Sequence, residues 1–441
     1  MEPITRTSFL ERAGAAALTV AGINGLRIER ATAGGYPGAS AYTAEVPAAW
    51  FDLALELVRT TPGFSPPVAS RAFAYTGIAL YEALAPGMPG RVGFAGRLDG
   101  LKHMRLPQDA AYHWPTVANG ALAAILRQLV PTAPSGGTTA IRQLEQRFND
   151  LARPLLPQGI YRRSVARGQQ VADHVFDWST TDGGHESFGN NFPAYVPPIG
   201  PGWWVRTPPG FAPALQPYWG TNRPFAISAD ELPDPGPPPE YSEEPGSAFY
   251  ADASECYRVA GALTAEQEAI ARFWADDAGA TATPPGHSVS ILTQVLRRLD
   301  LRLDRAADAY SRVGLAVADS FIACWRTKYR YNLLRPVTYI RRVFDPEWTP
   351  LHVTPPFPEY TSGHSVQSAA AATVLTGLFG DLAFTDHTHE SRGLPARSFA
   401  SFAAAADEAA VSRLYGGIHF RAAIERGLEQ GRSIGRSALT V

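Results

Sequence analysis

Pro355-Pro356-Phe357-Pro358-Glu359-Tyr360-Thr361-Ser362-Gly363-His364 runs without a break into Ser365-Val366-Gln367-Ser368-Ala369-Ala370-Ala371-Ala372. Prolines stiffen the approach, and the alanine-rich run after it is a strong helix former. Thr361 or Ser362 stands where a helix cap is needed. The first N–H groups of that helix then face whatever lies in front of them, beside a hydroxyl and a glycine that admits close approach. These are the components of an oxyanion site, and His364 adds a titratable ring in the first turn.

Helical spacing extends outward from this stretch in both directions. Apolar residues recur at that spacing from Trp50 to about Leu84, through Leu53, Leu57, Ala72, Tyr75, Ile78 and Ala79, and Pro62-Gly63 splits the run in two. Further helices are expected at about 110–130, 138–151 and 161–178. Thr264-Ala265-Glu266-Gln267 fits a capping box leading into Ile270-Ala271-Arg272-Phe273-Trp274. Others follow at about 289–299, 305–331, 364–378, 399–415 and 419–434. Strand signals are sparse, so the class is all-α, built as helix bundles with long irregular proline-rich loops.

Between Ser179 and Gly246 the pattern changes. Pro197-Pro198, Pro208-Pro209 and Pro237-Pro238-Pro239 exclude long regular elements, and the many aromatics imply a loop packed over the protein. The expected organisation is an N-terminal helical region at 45–178, an irregular region at 179–255 and a C-terminal helical bundle at 256–441.

Composition sets the limits. The 441 residues are 45% hydrophobic and 18% charged, as in a well-packed globular chain, and the net charge of −2 gives no reason to propose nucleic acid as a partner. Cys256 and Cys324 are too few for a disulfide framework. Arg6 and Arg12, the apolar run Ala13 to Leu26 and Ala31-Thr32-Ala33 read as a signal peptide over 1–33, which implies an exported protein, periplasmic or secreted. Thr5-Arg6-Thr7-Ser8-Phe9-Leu10 resembles a twin-arginine signal with Thr7 in place of the second arginine. No later stretch approaches the roughly 18 apolar residues of a membrane span, so no membrane insertion is expected.

Three separated segments carry chemistry. Lys328-Tyr329-Arg330-Tyr331-Asn332-Leu333-Leu334-Arg335-Pro336 sets two cations seven positions apart, close to two helical turns, with Pro336 loosening the second. The second segment is the Pro355–His364 stretch. In Ser412-Arg413-Leu414-Tyr415-Gly416-Gly417-Ile418-His419, the glycine pair breaks a helix on which Arg413 and His419 would point apart, and lets both turn inward. Singly, each segment reads as a helix end complementing its dipole. Together they supply a lysine, two arginines, a capped helix start and two histidines, a cradle for a trianion with an acid–base group and a possible metal ligand.

These segments resemble the K-x6-R-P, P-S-G-H and S-R-x5-H motifs of the vanadium haloperoxidase and type 2 phosphatidic acid phosphatase superfamily, with Thr361 in place of the usual proline. The resemblance covers roughly Thr264 to Arg432 and is closest to vanadium-dependent chloroperoxidases. It implies a vanadate cofactor held by Lys328, Arg335, Ser362, Gly363, His364, Arg413 and His419, with His419 as the axial metal ligand. His364 and Lys328 are then catalytic, as acid–base and as the group that polarises peroxide. Phe357 and Trp325 match aromatics beside the halide, and Asp277, with Asp276 as a rival, matches the aspartate that supports the second motif arginine. The implied substrates are hydrogen peroxide, a halide and an organic halogen acceptor.

Two alternatives use the same residues. In a soluble acid phosphatase His419 is the nucleophile and His364 the acid. That version usually carries an aspartate four positions after the nucleophile, where this chain has Ala423, and the same gap leaves the partner of His419 unexplained. A non-catalytic oxyanion-binding protein is the third reading. Asp386, His387 and His389 have metal-like types on a polar loop without a fourth ligand and are not read as a metal site. His287, after Pro284-Pro285-Gly286, is read as a residue of a helix start.

Overall fold

A computed structural model describes residues 36–104 and 111–441; the signal-peptide expectation for 1–33 lies outside the described residues. In chain order the α-helices are α1 (Glu45–Thr60), α2 (Pro66–Leu84), α3 (Trp114–Leu129), α4 (Ser135–Ala152), α5 (Gln158–Ser179), α6 (Ala248–Ala260), α7 (Ala265–Phe273), α8 (Thr283–Arg298), α9 (Leu303–Tyr331), α10 (Pro336–Val343), α11 (Gly363–Phe379), α12 (Phe402–Tyr415) and α13 (Arg421–Thr440). Two three-residue strands, β1 (Phe384–Asp386) and β2 (Arg397–Phe399), pair antiparallel with Phe384 opposite Phe399. The fold is all-α, as the periodicity predicts.

Local chemistry explains the boundaries. Pro62-Gly63 separates α1 from α2, with Gly63 at φ +88°. Thr264 and Gln267 form the expected capping box of α7. The helix α6 begins inside the stretch read as irregular; Ser247, which caps it by accepting from Tyr250 N, sits directly after the proline- and glycine-rich run.

The central α9 packs on α2 on one side and on α11 and α13 on the other. One hydrophobic cluster runs from Ala39 to Ala438, so the N-terminal and C-terminal helices share a core. A second cluster gathers α6, α10, Trp348, Tyr360 and the facing residues of α12 and α13.

Helices α11 and α13 approach closely. Gly427, Gly431 and Gly435 recur every fourth residue on α13, and a Cβ at Gly431 would stand 2.1 Å from the Val366 carbonyl oxygen. Only a bare backbone lets α13 lie this near the alanine-rich α11. The 179–247 region lies over the protein: Trp204 N donates to Asn332 O, and Leu215 N donates to Pro356 O. Among the described residues, no helix is long and apolar enough to cross a membrane.

Candidate functional site

Helix α11 starts as expected. Ser362 is its cap, accepting from Ser365 N at 3.3 Å, and Ser362 N in turn donates to Ala423 O on α13. Thr361 donates to Gln430 Oε1 at 2.8 Å and has a packing role. The N-terminus of α11 therefore faces a space bounded by the backbone of 357–361 and by residues 418–420.

Into that space the structure brings both cations of the first segment, though not on one helix. Asn332 ends α9 in the left-handed region at φ 43°, and Arg335 stands in extended backbone as the cap of α10. Both side chains are fully buried. Arg335 Nε donates to Phe357 O at 2.7 Å and Nη1 to Ile418 O at 2.8 Å, while Nη2 is buried without a partner. Lys328 Nζ donates to the carbonyls of Pro358 and Glu359, each at 3.0 Å, and to that of Thr361. Its three N–H groups are thus engaged, so it supplies charge and ties down the approach to α11. An oxyanion would have to displace one of these carbonyls to gain a direct bond.

The third segment also turns inward. Helix α12 ends at Tyr415, Gly417 adopts φ +72°, and Arg413 and His419 are both buried. Arg413 Nη1 donates to Trp274 O at 2.9 Å, and its Nε is buried without a partner. His419 Nδ1 lies 2.8 Å from Glu359 Oε1, which also accepts from Phe420 N at 2.9 Å. The carboxylate requires a proton on Nδ1, so the Nε2 lone pair faces the cavity, where it accepts from Arg335 Nη1 at 3.2 Å. His364 Nε2 is shielded from solvent and has no partner.

Electrostatics follow from burial among like charges. Burial lowers Lys328 to about 8 and Arg335 and Arg413 to about 10 each. Both His364 and His419 are held well below the usual imidazole value, by burial first and by nearby cations second. Burial raises Glu359 to about 7 against the pull of Lys328 and Arg335. Three cations and one carboxylate leave the cavity short of negative charge, and N–H groups on Arg335 and Arg413 are left unpaired. Unpaired buried donors are costly, so the arrangement is one an anion completes.

Trp325 and Phe357 form the adjoining wall, with ring centroids 4.8 Å apart. Lys328 Nζ is 5.0 Å from the Phe357 ring and 5.8 Å from that of Trp325, and the Arg335 guanidinium is 4.8 Å over Phe357. The covering loop fixes this wall, because Leu215 O accepts from Trp325 Nε1 and from the Tyr329 hydroxyl.

Three sequence expectations change here. The partner of His419 is Glu359, from the proline-rich approach; Ala423 is buried against the core and leaves no gap to fill. Glu359 was missed although it is the one carboxylate in the quoted 355–364 stretch. Asp277 is exposed, within electrostatic reach of Arg413 but without a hydrogen bond to it, and its rival Asp276 bonds His287 Nδ1 at 2.8 Å instead. His287 and His389, set aside as unremarkable, meet in a buried group with Asp276.

A family model described as the VCPO second helical-bundle domain matches residues 309–347 and 343–441. Among solved structures the chain is similar to one described as the first bacterial vanadium-dependent iodoperoxidase, at 39% identity over 90% of this chain and 96% of that one, with TM-score 0.82. It is also similar in fold to the holo and apo forms of a bacterial vanadium-dependent chloroperoxidase, at 17% and 18% identity over 86% of this chain and 92% and 93% of those, each with TM-score 0.64. The stronger likeness is therefore to the iodoperoxidase. Among curated proteins, none matches the chain.

Proposed function

The chain belongs to the vanadium-dependent haloperoxidases, and from that premise we propose that it oxidises a halide with hydrogen peroxide to hypohalous acid at a vanadate held by Lys328, Arg335, Ser362, Gly363, His364, Arg413 and His419. One observation carries the reading: three buried cations, two with unpaired N–H groups, surround the His419 imidazole, whose Nε2 faces the cavity and accepts from Arg335. That donor set fits a vanadate, with N–H groups for its oxygens and an imidazole for its metal. When bound, vanadate supplies a Lewis acid that activates peroxide without changing oxidation state.

The protein's part is to bind, orient and move a proton. Arg335 Nη2 and Arg413 Nε offer hydrogen bonds to anionic oxygens, and the start of α11 adds the Gly363 N–H and the Ser362 hydroxyl. Glu359 keeps the His419 ring turned with Nε2 inward. His364, held neutral, would take a proton from peroxide at Nε2 and give it up again from the same atom. Lys328 provides positive charge beside Trp325 and Phe357, which offer an apolar wall for the halide. The likeness to an iodoperoxidase supports iodide as the preferred halide, and the hypohalous acid then halogenates an electron-rich organic acceptor.

The test is peroxide-dependent halogenation of a phenolic dye by vanadate-loaded protein, with iodide, bromide and chloride in parallel. Activity with iodide, lost in His419→Ala, is expected; no turnover with any halide overturns the proposal. The Glu359–His419 contact favours a second reading, because a nucleophilic imidazole needs the same carboxylate. Phosphate release from a monoester by the vanadate-free preparation, also lost in His419→Ala, identifies a phosphatase. Tight vanadate binding with neither activity identifies an oxyanion-binding protein. The Arg6–Ala33 pattern supports export, which N-terminal sequencing of the mature protein tests.

A further inference from the structure

Behind Arg413, and apart from the anion cradle, three side chains from separate elements meet. Asp276 lies between α7 and α8, His287 in the first turns of α8, and His389 on the segment after β1. All three are buried, and the two imidazoles pack edge to face with centroids 4.6 Å apart, against Phe273 and Trp274.

A hydrogen-bonded structural group accounts for part of this. His287 spans two carboxylates, with Nδ1 2.8 Å from Asp276 Oδ2 and Nε2 2.6 Å from Asp386 Oδ2. It holds His389 more loosely. His389 Nε2 stands 3.2 Å from Asp276 Oδ1, yet the approach is off the direction of an N–H bond and both atoms are left without a hydrogen bond. The two buried atoms thus meet in an ion-pair contact of poor hydrogen-bond geometry, which a metal ion held by both would replace.

The donor chemistry suits a metal ion. A carboxylate oxygen and two imidazole nitrogens lie within 4.8 Å of one another. Zinc–nitrogen bonds of about 2.0–2.1 Å in tetrahedral geometry would separate such atoms by about 3.3 Å. The outer partner that ligating imidazoles generally have is already in position: Asp386 accepts from His287 Nε2 and is itself held by Gln294 and Thr388. Two buried carboxylates carry two negative charges, which a divalent cation cancels once it displaces the proton that His287 Nδ1 shares with Asp276.

We propose that Asp276, His287 and His389 bind a divalent transition-metal ion of the zinc type, with water as the remaining ligand. The ion pins the segment after β1 to the wall behind the cradle. Trp274, two positions before Asp276, offers its carbonyl to Arg413 Nη1, so the ion also steadies one arm of the anion site. Arg392 Nη1 lies 3.4 Å from His389 Nδ1. Loading requires a proton on Nδ1, so this exposed arginine must swing away, and its removal strengthens binding.

The experiment uses untagged full-length protein stripped with a chelator, then titrated with zinc by calorimetry and melted with and without the ion. One zinc per chain and a raised Tm are expected, with affinity falling at least tenfold in His389→Ala and unchanged in His387→Ala, an exposed control. Arg392→Ala, at the surface, should bind at least threefold tighter and does not disturb the interior. Cobalt(II) in place of zinc should give the visible absorption of a nitrogen-ligated four-coordinate ion. Absence of zinc binding by the wild-type chain overturns the proposal. So does binding retained in His389→Ala, binding lost instead in His419→Ala, or an affinity unmoved by Arg392→Ala.

Discussion

Glu359 Oε1 lies 2.8 Å from His419 Nδ1 and accepts from Phe420 N as well, so one carboxylate oxygen fixes both the ring and the backbone that carries it. The contact decides which imidazole nitrogen faces the cavity. Glu359→Gln keeps the shape and removes the charge. It should weaken vanadate binding by about 10–100-fold, with helix content unchanged by circular dichroism. Unaltered affinity would remove Glu359 from the site's design.

Lys328 sets an alkaline limit. Burial lowers its ammonium from the usual lysine value to about 8, so the cradle loses a positive charge as pH rises through that value. Oxyanion affinity should fall in step, which a pH series of vanadate or phosphate titrations measures. The stability effect has the opposite sign. Between about 8 and the usual lysine value of about 10.4, the unfolded chain still holds a proton that the folded one has released, so this group adds stability as pH rises. Weakened binding there is therefore not a loss of fold through Lys328.

His113 sets an acid limit on stability. Burial lowers it to about 4, so between the usual imidazole value and about 4 the unfolded chain takes up a proton that the fold refuses. Stability should fall by about 3 kcal/mol through that window as pH drops, and level off below it. His113 stands at the N-terminal cap position of α3 without a side-chain bond to the helix backbone, a position where asparagine serves well. Urea denaturation of His113→Asn should show a shallower loss over the same range.

Gly431→Ala tests the contact between α11 and α13. The added methyl would meet the Val366 carbonyl, a backbone atom that cannot rotate away. A loss of about 1–3 kcal/mol in urea denaturation is expected, together with weaker phosphate binding, because Ser362 N bonds Ala423 O across the same interface.

The cradle was legible because its residues sit in short local patterns: a cap before a helix, cations around Pro336, a glycine pair before His419. The helices were legible from periodicity. Glu359 was not, because its partner lies sixty positions away and was sought one helical turn beyond His419. Helix α13 begins only at Arg421 and turns Ala423 into the core, so the carboxylate reaches the ring from the preceding loop. The Asp276–His287–His389 group joins residues more than a hundred positions apart and leaves no local signature. The short α6 was hidden by the prolines before it, although Ser247 marks its start.

The glycine stripe of α13 also imposes an order in time. Lys328, Arg335 and α11 leave the ribosome well before Arg413, His419 and the helix that seats against α11. Until residues 413–440 have emerged, the chain lacks Arg413, His419 and the helix that seats against α11. The far wall of the cradle is thus supplied by the last part of the chain to be made, and a chain that stops before Arg413 would lack it.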